Sequence, residues 1–489
     1  MKLAYLLRSA GYEMPADVSD MEISAIVTDS RAAAAGALFV AEAGLRTDGY
    51  GHIADAVKNG AVFVVAERPV RGVAHLCVEN ARAATARLYD AWYGHPAEGM
   101  ALIGITGTNG KTSTAAMLSA ILSHAGKRCG VIGTLSASVD GETLSYESAD
   151  PLANMTTPDP AQLYALLAKM REAGVTHAVM EVTSHAMFFC RVAPLQFALS
   201  IFTNLTPDHL DLHGDMESYF AEKCKLFARS RAAVVSLSTP YGVRLADSLE
   251  IPLYTVGSET VCDRRLDGVD GVSFTLHQGG KKLQISIPVA GDFAIENGAL
   301  AASAALALGV SPTATVEALG SFSGVAGRME RVAQNPLHIR VFLDYAHTPD
   351  ALEKLLLCLG RVRRAGERIL LLFGCGGERD RSKRRVMGSI ACRLADFTVI
   401  TSDNPRGEAP RAIIADILKG FDKEKPHAVI EDRGAAIRAL VEAARPHDIL
   451  VLAGKGHETY ELVGGERRPF SEKALVSACI AEKCKGERL

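Results

Sequence analysis

The chain has 489 residues, with 53 Lys+Arg against 56 Asp+Glu and a formal net charge of −3. At roughly 100–200 residues per domain this length predicts about three domains, and the near-balance of charge argues against a nucleic acid as main partner, which would favour a basic surface. With 48% hydrophobic and 22% charged residues, the composition is that of a folded chain rather than a disordered one.

No run of 18 apolar residues occurs, so no spanning helix is expected. The start, MKLAYLLRSAGYEM, has too short an apolar stretch for a signal peptide and lacks a small-residue cleavage site. The ten cysteines include no CxxC pair. They read as reduced thiols, used mainly in packing, of a cytoplasmic protein.

In chain order, AVFVVAE (61–67) reads as a buried strand after a helix ending near Asn59-Gly60. Tyr93-Gly94-His95-Pro96 punctuates the chain, and a new unit opens with the strand ALIGITG (101–107). A Gly-rich loop and a helix over 112–124 follow. A helix over 161–173 leads to the strand HAVMEV (177–182). The strand FALSIFTN (197–204) precedes an acidic, His-rich loop, and a helix over 216–228 leads to AAVVSLS (232–238). Residues 272–290 alternate around Gly279-Gly280, which predicts a hairpin, and 299–308 forms an Ala-rich helix. A third unit begins near 333. Its strands are 339–347, 368–374, 395–401 and 447–454, and its helices follow Pro349 and cover 383–394, 410–420 and 433–444. The expectation is α/β, with units over 1–98, 99–332 and 333–489. Strands alternating with helices predict mostly parallel sheets covered on both faces, whose ligands sit at the carboxyl ends of the strands.

The sharpest chemical signal is GITGTNGKTST, Gly104 to Thr114, between a strand and a helix. Glycines let backbone N–H groups face a phosphate, and the helix N-terminus adds a favourable dipole. Lys111 can neutralise the β/γ-phosphates and the Thr112 hydroxyl can ligate Mg²⁺. The strict P-loop has four residues between its glycines; here five stand between Gly104 and Gly110. Glu181, at the end of the strand HAVME, places a hard carboxylate in the same cleft, suited to Mg²⁺ beside phosphates.

TGTNGKT, in place of the strict form, resembles the ATP loop of the Mur ligases and folylpolyglutamate synthases, ATP-dependent acid–amino acid ligases that work through an acyl phosphate. The resemblance assigns Gly107, Thr108, Asn109, Gly110, Lys111, Thr112 and Ser113 to ATP. It extends through TNLTPDHLDLHGDMESYFAEKCKLF (203–227), where His209 matches a metal-binding His and Lys223 a lysine carried as a carbamate; Lys225 reads as an exposed helix residue. Further along, Asn297 in DFAIENGALAA matches a family contact to adenine. Arg328 in GVAGRME matches an Arg that reaches the ATP phosphates, and His347 lies in the YAHTP element that closes on the nucleotide. The implied catalytic set is Lys111, Lys223, His209 and Glu181. The implied Mg²⁺ donors are Thr112, Glu181, His209 and the Lys223 carbamate.

The N-terminal Thr28-Asp29-Ser30-Arg31, followed by LFVA and the loop Leu45–Gly49, resembles the segment that holds a uridine nucleotide, giving Thr28 and Ser30. Thr156, Thr157, Thr183 and Arg191 match family contacts to a muramoyl-dipeptide. Relatives often carry Gln where Phe189 stands, so a polar contact there is lost. Asp403-Asn404-Pro405-Arg406 resembles the motif by which the family member that adds meso-diaminopimelate recognises that amino acid. Arg406 can pair with the distal carboxylate, which lysine lacks, and a buried Arg left unpaired is costly. Arg379 in GCGGERDRSKR, and Gly454 and Glu458 in LAGKGHE, match further contacts, Glu458 to an amino group. The resemblance spans about residues 20–470. It implies a monomeric cytoplasmic ligase that joins diaminopimelate to UDP-N-acetylmuramoyl-L-alanyl-D-glutamate with ATP and Mg²⁺. A lysine-adding member, a folylpolyglutamate synthase-like ligase and an ATP-hydrolysing switch remain open alternatives.

Overall fold

The computed structural model describes residues 1–44, 48–144, 155–332, 335–422 and 424–486. The loop residues Leu45–Thr47 and the chain at 333–334, where a third unit was expected to begin, lie outside the described residues.

Three parallel or mostly parallel sheets follow one another along the chain. The first has four strands in sequential order: Ala25–Val27, Ala37–Val40, Ala61–Ala66 and His75–Cys77. The second has eight. Its parallel part runs Leu253–Val256, Ala233–Ser236, Leu199–Phe202, Ala101–Thr106, His177–Glu181, Cys129–Ile132, and two short antiparallel strands extend its edge. Ile103 and Ile105 enter one apolar cluster and Leu102 the other. That alternation is what a strand covered on both faces requires, and it explains the nearly unbroken apolar run. The third sheet runs Glu330–Arg331, Arg340–Asp344, Ile449–Ala453, Ile369–Phe373, Phe397–Ile400, His427–Val429, with only the first strand antiparallel.

In the second sheet the chain leaves Ala101–Thr106 toward neighbours on both sides. In the third it returns late to insert Ile449–Ala453 between Arg340–Asp344 and Ile369–Phe373. Such reversals of strand order open a crevice at the carboxyl ends. The loops carrying Lys111, His209, His347, Arg379, Arg406 and Glu458 leave from those ends, and Glu181 is the last residue of its strand.

The helices begin where the sequence supplies caps. Asp159-Pro160, Thr239-Pro240, Ser311-Pro312 and Thr348-Pro349 each pair a side-chain cap with a proline in the first turn. The cap takes an otherwise orphaned N–H, and proline lacks one where none is needed.

Two expectations shift. The helix predicted from Ala299 starts at Asp292. Gly298, just before the expected start, serves packing, since a Cβ there would lie 2.3 Å from Ile287 Cδ1. The helix predicted over 216–228 ends at Cys224. The predicted hairpin is present, Val272–Gln278 with Lys281–Ile287, and a third strand, Val261–Leu266, pairs beside it. Asp263, Arg264 and Arg265 in its middle are exposed and charged, so it carried no apolar signal.

Candidate active site

The loop after Ala101–Thr106 is held against the loop after Leu199–Phe202. Thr108 N–H donates to Asn204 O at 2.9 Å, Asn109 N–H to Asn204 Oδ1 at 3.0 Å, and Thr203 Oγ1 to Asn109 O at 2.6 Å. Gly107 has φ +143°, and a Cβ on it would stand 1.9 Å from Thr203 Oγ1. Only glycine admits so close an approach at that dihedral. Asn297, from the helix Asp292–Ala307, lies beneath the loop. It is buried, its Oδ1 accepts from Thr114 Oγ1 at 3.4 Å, and a Cβ on Gly110 would come within 2.5 Å of it.

Lys111 Nζ donates to Gly107 O at 3.0 Å and Thr108 O at 2.9 Å, and Lys223 Nζ donates to the same Gly107 O at 3.0 Å. Two lysine amino groups therefore share one carbonyl, and Lys223 is only 2% exposed. Burial, with Lys111 adding to it, pushes the Lys223 amine well below its ordinary value. A neutral amine is the form that combines with CO₂. Lys223 also lies over the Tyr219 ring, 4.6 Å from its centroid. The His209 ring is 6.3 Å from the same ring and 4.6 Å from His185.

Glu181 is 1% exposed. Its Oε1 accepts from Thr134 N–H at 3.0 Å, and its Oε2 accepts from Thr112 Oγ1 and Thr134 Oγ1, each at 3.1 Å. No three His, Cys, Asp or Glu side chains converge as a metal cage among the described residues. A hydroxyl and a carboxylate beside a phosphate loop nevertheless fit Mg²⁺, which keeps waters and takes phosphate oxygens instead of demanding an all-protein cage. Thr134 had no signature in the sequence.

Four of the residues expected at the muramoyl-dipeptide adjoin this cluster. Thr157 Oγ1 donates to Glu181 O at 2.8 Å and lies 3.3 Å from Thr183 Oγ1. Arg191 Nη1 donates to Thr157 O at 2.7 Å, and Thr156 meets Thr134 at 3.0 Å. Phe189 carries Arg82 over its ring at 4.8 Å, a cation from the first unit that sequence reasoning missed. Thr28 and Ser30 stand outside this cluster, after the strand Ala25–Val27.

The third sheet builds a second cluster. Asn404 Nδ2 donates to Glu458 Oε2 at 2.6 Å. Arg406 Nη1 donates to Gly377 O at 2.9 Å and Asn404 O at 3.4 Å, while its Nε and Nη2 take no partner among the described residues. A Cβ on Gly376 would lie 3.0 Å from Arg406 Nη1 and 3.8 Å from Arg379 Cγ, so the two cations flank one glycine. Burial, with Arg379 adding to it, lowers Arg406 from its ordinary value. Gly454 must be glycine, with φ +115° and Asp403 Oδ2 2.4 Å from any Cβ. Burial pushes Asp403 up, but Lys455 and Arg433 outweigh it and hold it below the usual carboxylate value. Arg433 Nη1 donates to Ser402 O and Nη2 to Ala453 O, joining the roots of both loops, and its Nε pairs with buried Glu472 at 2.7 Å. Pro405 O accepts from Glu408 N–H, whose carboxylate pairs with fully buried Arg384 at 2.7 Å.

Two contacts join the clusters. Asn109 Nδ2 donates to Asp350 Oδ2 at 2.7 Å, across the two sheets. The turn carrying Arg328 packs backbone to backbone on the Gly454–Glu458 loop, where a Cβ on Gly327 would lie 2.1 Å from His457 N. Arg328 lies over the Tyr345 ring at 4.4 Å, and His347, two residues on, donates from Nδ1 to Tyr345 O at 2.8 Å.

A Gly-rich strand–loop–helix turn in one α/β unit, joined through Asn109 and Asp350 to a cluster of charged side chains in the next, fits the class of ATP-dependent ligases. Family models for the Mur ligase family catalytic domain, the Mur ligase middle domain and the Mur ligase glutamate ligase domain match residues 22–94, 105–306 and 327–456. The chain belongs to the Mur ligase family. It is 39% identical to the UDP-N-acetylmuramoyl-L-alanyl-D-glutamate--2,6-diaminopimelate ligase of Syntrophomonas wolfei, over 99% of this chain and 100% of that protein. It is 40% identical to the Pseudomonas aeruginosa protein of the same name, over 94% and 96%. A solved structure of a ligase of that name superposes with TM-score 0.68 at 28% identity, covering 96% and 97% of the two chains. A Mycobacterium tuberculosis folylpolyglutamate synthase shares the fold, with TM-score 0.65 at 20% identity over 83% and 95%.

Proposed function

We propose that this chain joins meso-diaminopimelate to UDP-N-acetylmuramoyl-L-alanyl-D-glutamate, with ATP as the phosphoryl donor, in building peptidoglycan precursors. The observation that carries the reading is the open fork of Arg406 beside Arg379, opposite the Glu458 carboxylate. This is a site for a carboxylate and an ammonium on one amino-acid end. The single carboxylate of lysine lies beside its α-amine, so its distal end offers the fork none, and the unpaired guanidinium would penalise it.

The units over 1–98, 99–332 and 333–489 hold the UDP-sugar, ATP and the amino acid respectively. Lys111 and the backbone amides at the start of the helix Lys111–His124 cradle the phosphates. Thr112 and Glu181 would hold Mg²⁺, with His209 and a carbamate on Lys223 as the further donors; bound there, the cation would supply charge to offset that of the phosphates. Thr157, Thr183 and Arg191 position the substrate's glutamyl end, so that its γ-carboxylate attacks the γ-phosphorus and releases ADP. The acyl phosphate carbon is then attacked by an amine of diaminopimelate. That amine has first given up one proton of its ammonium form; the tetrahedral adduct loses a second proton from nitrogen and expels phosphate, which leaves the amide. Contacts between the two clusters bring donor and acceptor together and exclude water from the acyl phosphate. Among the described residues no helix is long and apolar enough to cross a membrane, in keeping with an enzyme of the cytoplasm.

Mass analysis of the product made from the UDP-dipeptide, ATP and either diaminopimelate or lysine tests the proposal. Incorporation of diaminopimelate, with phosphate release that needs all three substrates, is expected. Preferred incorporation of lysine overturns the amino-acid assignment.

A further inference from the structure

Lys455 stands inside the second cluster, and none of the roles above uses it. Its side chain is completely buried, on the loop that follows the strand Ile449–Ala453. A buried ammonium is tolerated only when its donors are satisfied and its charge is met. Here Nζ donates to Asn404 Oδ1 at 2.9 Å and to Tyr460 O at 2.9 Å. It faces Asp403 Oδ1 at 3.5 Å and Glu458 Oε2 at 3.8 Å.

The consequence lies in the Asn404 amide. Its Oδ1 accepts from Lys455 and from Leu462 N–H at 3.0 Å, so only Nδ2 can face Glu458. That hydrogen bond occupies Glu458 Oε2 and leaves Oε1 with no partner among the described residues. We propose that Lys455 is a positioning residue for the amino-acid substrate: it locks the Asn404 amide and offsets the Asp403 charge, so that Glu458 presents one ionised oxygen to the ammonium at the distal centre of diaminopimelate. The inference rests on the amino-acid reading above and adds the group that keeps that site poised.

The groups facing Glu458 are Asp403, Asn404, Lys455 and Arg406, with the Tyr345 hydroxyl on the neighbouring loop. Burial and then Asp403 raise the Glu458 carboxyl; Asn404, Lys455 and Arg406 oppose them. Without Lys455, protonation of Glu458 reaches further toward neutral pH. An acid protonated at the working pH no longer attracts an ammonium, and raising the pH restores it.

The test uses full-length enzyme and steady-state kinetics between pH 6.5 and 8.5. Lys455→Gln keeps a donor for Asn404 and removes the charge. Its diaminopimelate KM is expected to rise about 30-fold at pH 6.5, about 2 kcal/mol, and to recover several-fold by pH 8.5. The KM values for ATP and the UDP-dipeptide should stay within about twofold. Lys455→Met should raise the diaminopimelate KM further; should it fail to fold, Lys455→Gln alone decides. A diaminopimelate KM for Lys455→Gln near wild type at pH 6.5, or a raised KM equal at both pH values, overturns the role of Lys455. A wild-type enzyme that prefers lysine overturns the amino-acid reading instead, and the two failures are told apart in the same assay.

Discussion

Replacing Arg406 with Ala removes the guanidinium while leaving the loop's backbone bonds in place. Arg406 N–H to Leu462 O at 3.0 Å and Gly464 N–H to Arg406 O at 2.8 Å do not involve the side chain. The φ of +54° is strained for Arg and Ala alike, so it does not favour either. What is lost is the open Nε/Nη2 fork, which can make two charge-assisted bonds to a carboxylate at roughly 1.5–3 kcal/mol each. Arg379 remains on the other side of Gly376 and retains part of the attraction. The net loss is therefore set near the lower sum, about 3 kcal/mol or roughly 100-fold in the diaminopimelate KM. Lysine never used the fork, so its kcat/KM should change little or rise, and selectivity should fall by the same factor. Coupled phosphate release with each amino acid, and mass analysis of the products, read both quantities. A diaminopimelate KM within about threefold of wild type, or lysine and diaminopimelate activity falling in step, would refute the argument.

Lys223→Ala should abolish most ligation, and short carboxylic acids should restore part of it by replacing the carbamate; unchanged activity ends that assignment. Gly327→Ala forces a Cβ into the Gly454–Glu458 loop and should cost about 1–3 kcal/mol of stability, read as a lower urea midpoint, together with a lower kcat; wild-type values for both would show that the two loops need not touch. Arg384→Met leaves Glu408 and Asp416 without their buried partner and should destabilise by about 3 kcal/mol. The pH dependence of this pair has a defined sign. Its hydrogen bond from Arg384 holds Glu408 down from 4.5 to about 2, so the stabilisation is present above about pH 4.5 and is lost as the pH falls toward 2. Melting curves across that window should be flatter for Arg384→Met than for wild type, and parallel curves would contradict the ion-pair account.

Much of this protein was legible along the chain. Apolar runs of strand length ending in glycine or acidic loops, and the helix that follows Pro349, are local features, fixed by neighbours a few residues away. The phosphate loop was legible for the same reason: its glycines, Lys111 and Thr112 form one strand–turn–helix unit. The start of the helix at Asp292 was hidden, because Gly298 answers to Ile287, a contact that no local rule contains. The exposed strand Val261–Leu266 was hidden because its place is set by pairing, not by burial.

The site divides along the same line. Sequence named Glu181, Lys223, Arg406 and Glu458 as chemical types in suggestive settings. Tertiary structure alone supplied the partners that hold and aim them: Thr134 on both oxygens of Glu181, Gly107 O shared by two lysines, and Lys455 with Arg433 beneath the amino-acid loop. Asp350, met by Asn109 from 241 residues away, is the extreme case. A side chain's ionisation and orientation depend on the groups within a few ångströms of it, and in a sheet whose strand order reverses, those groups come from distant parts of the chain.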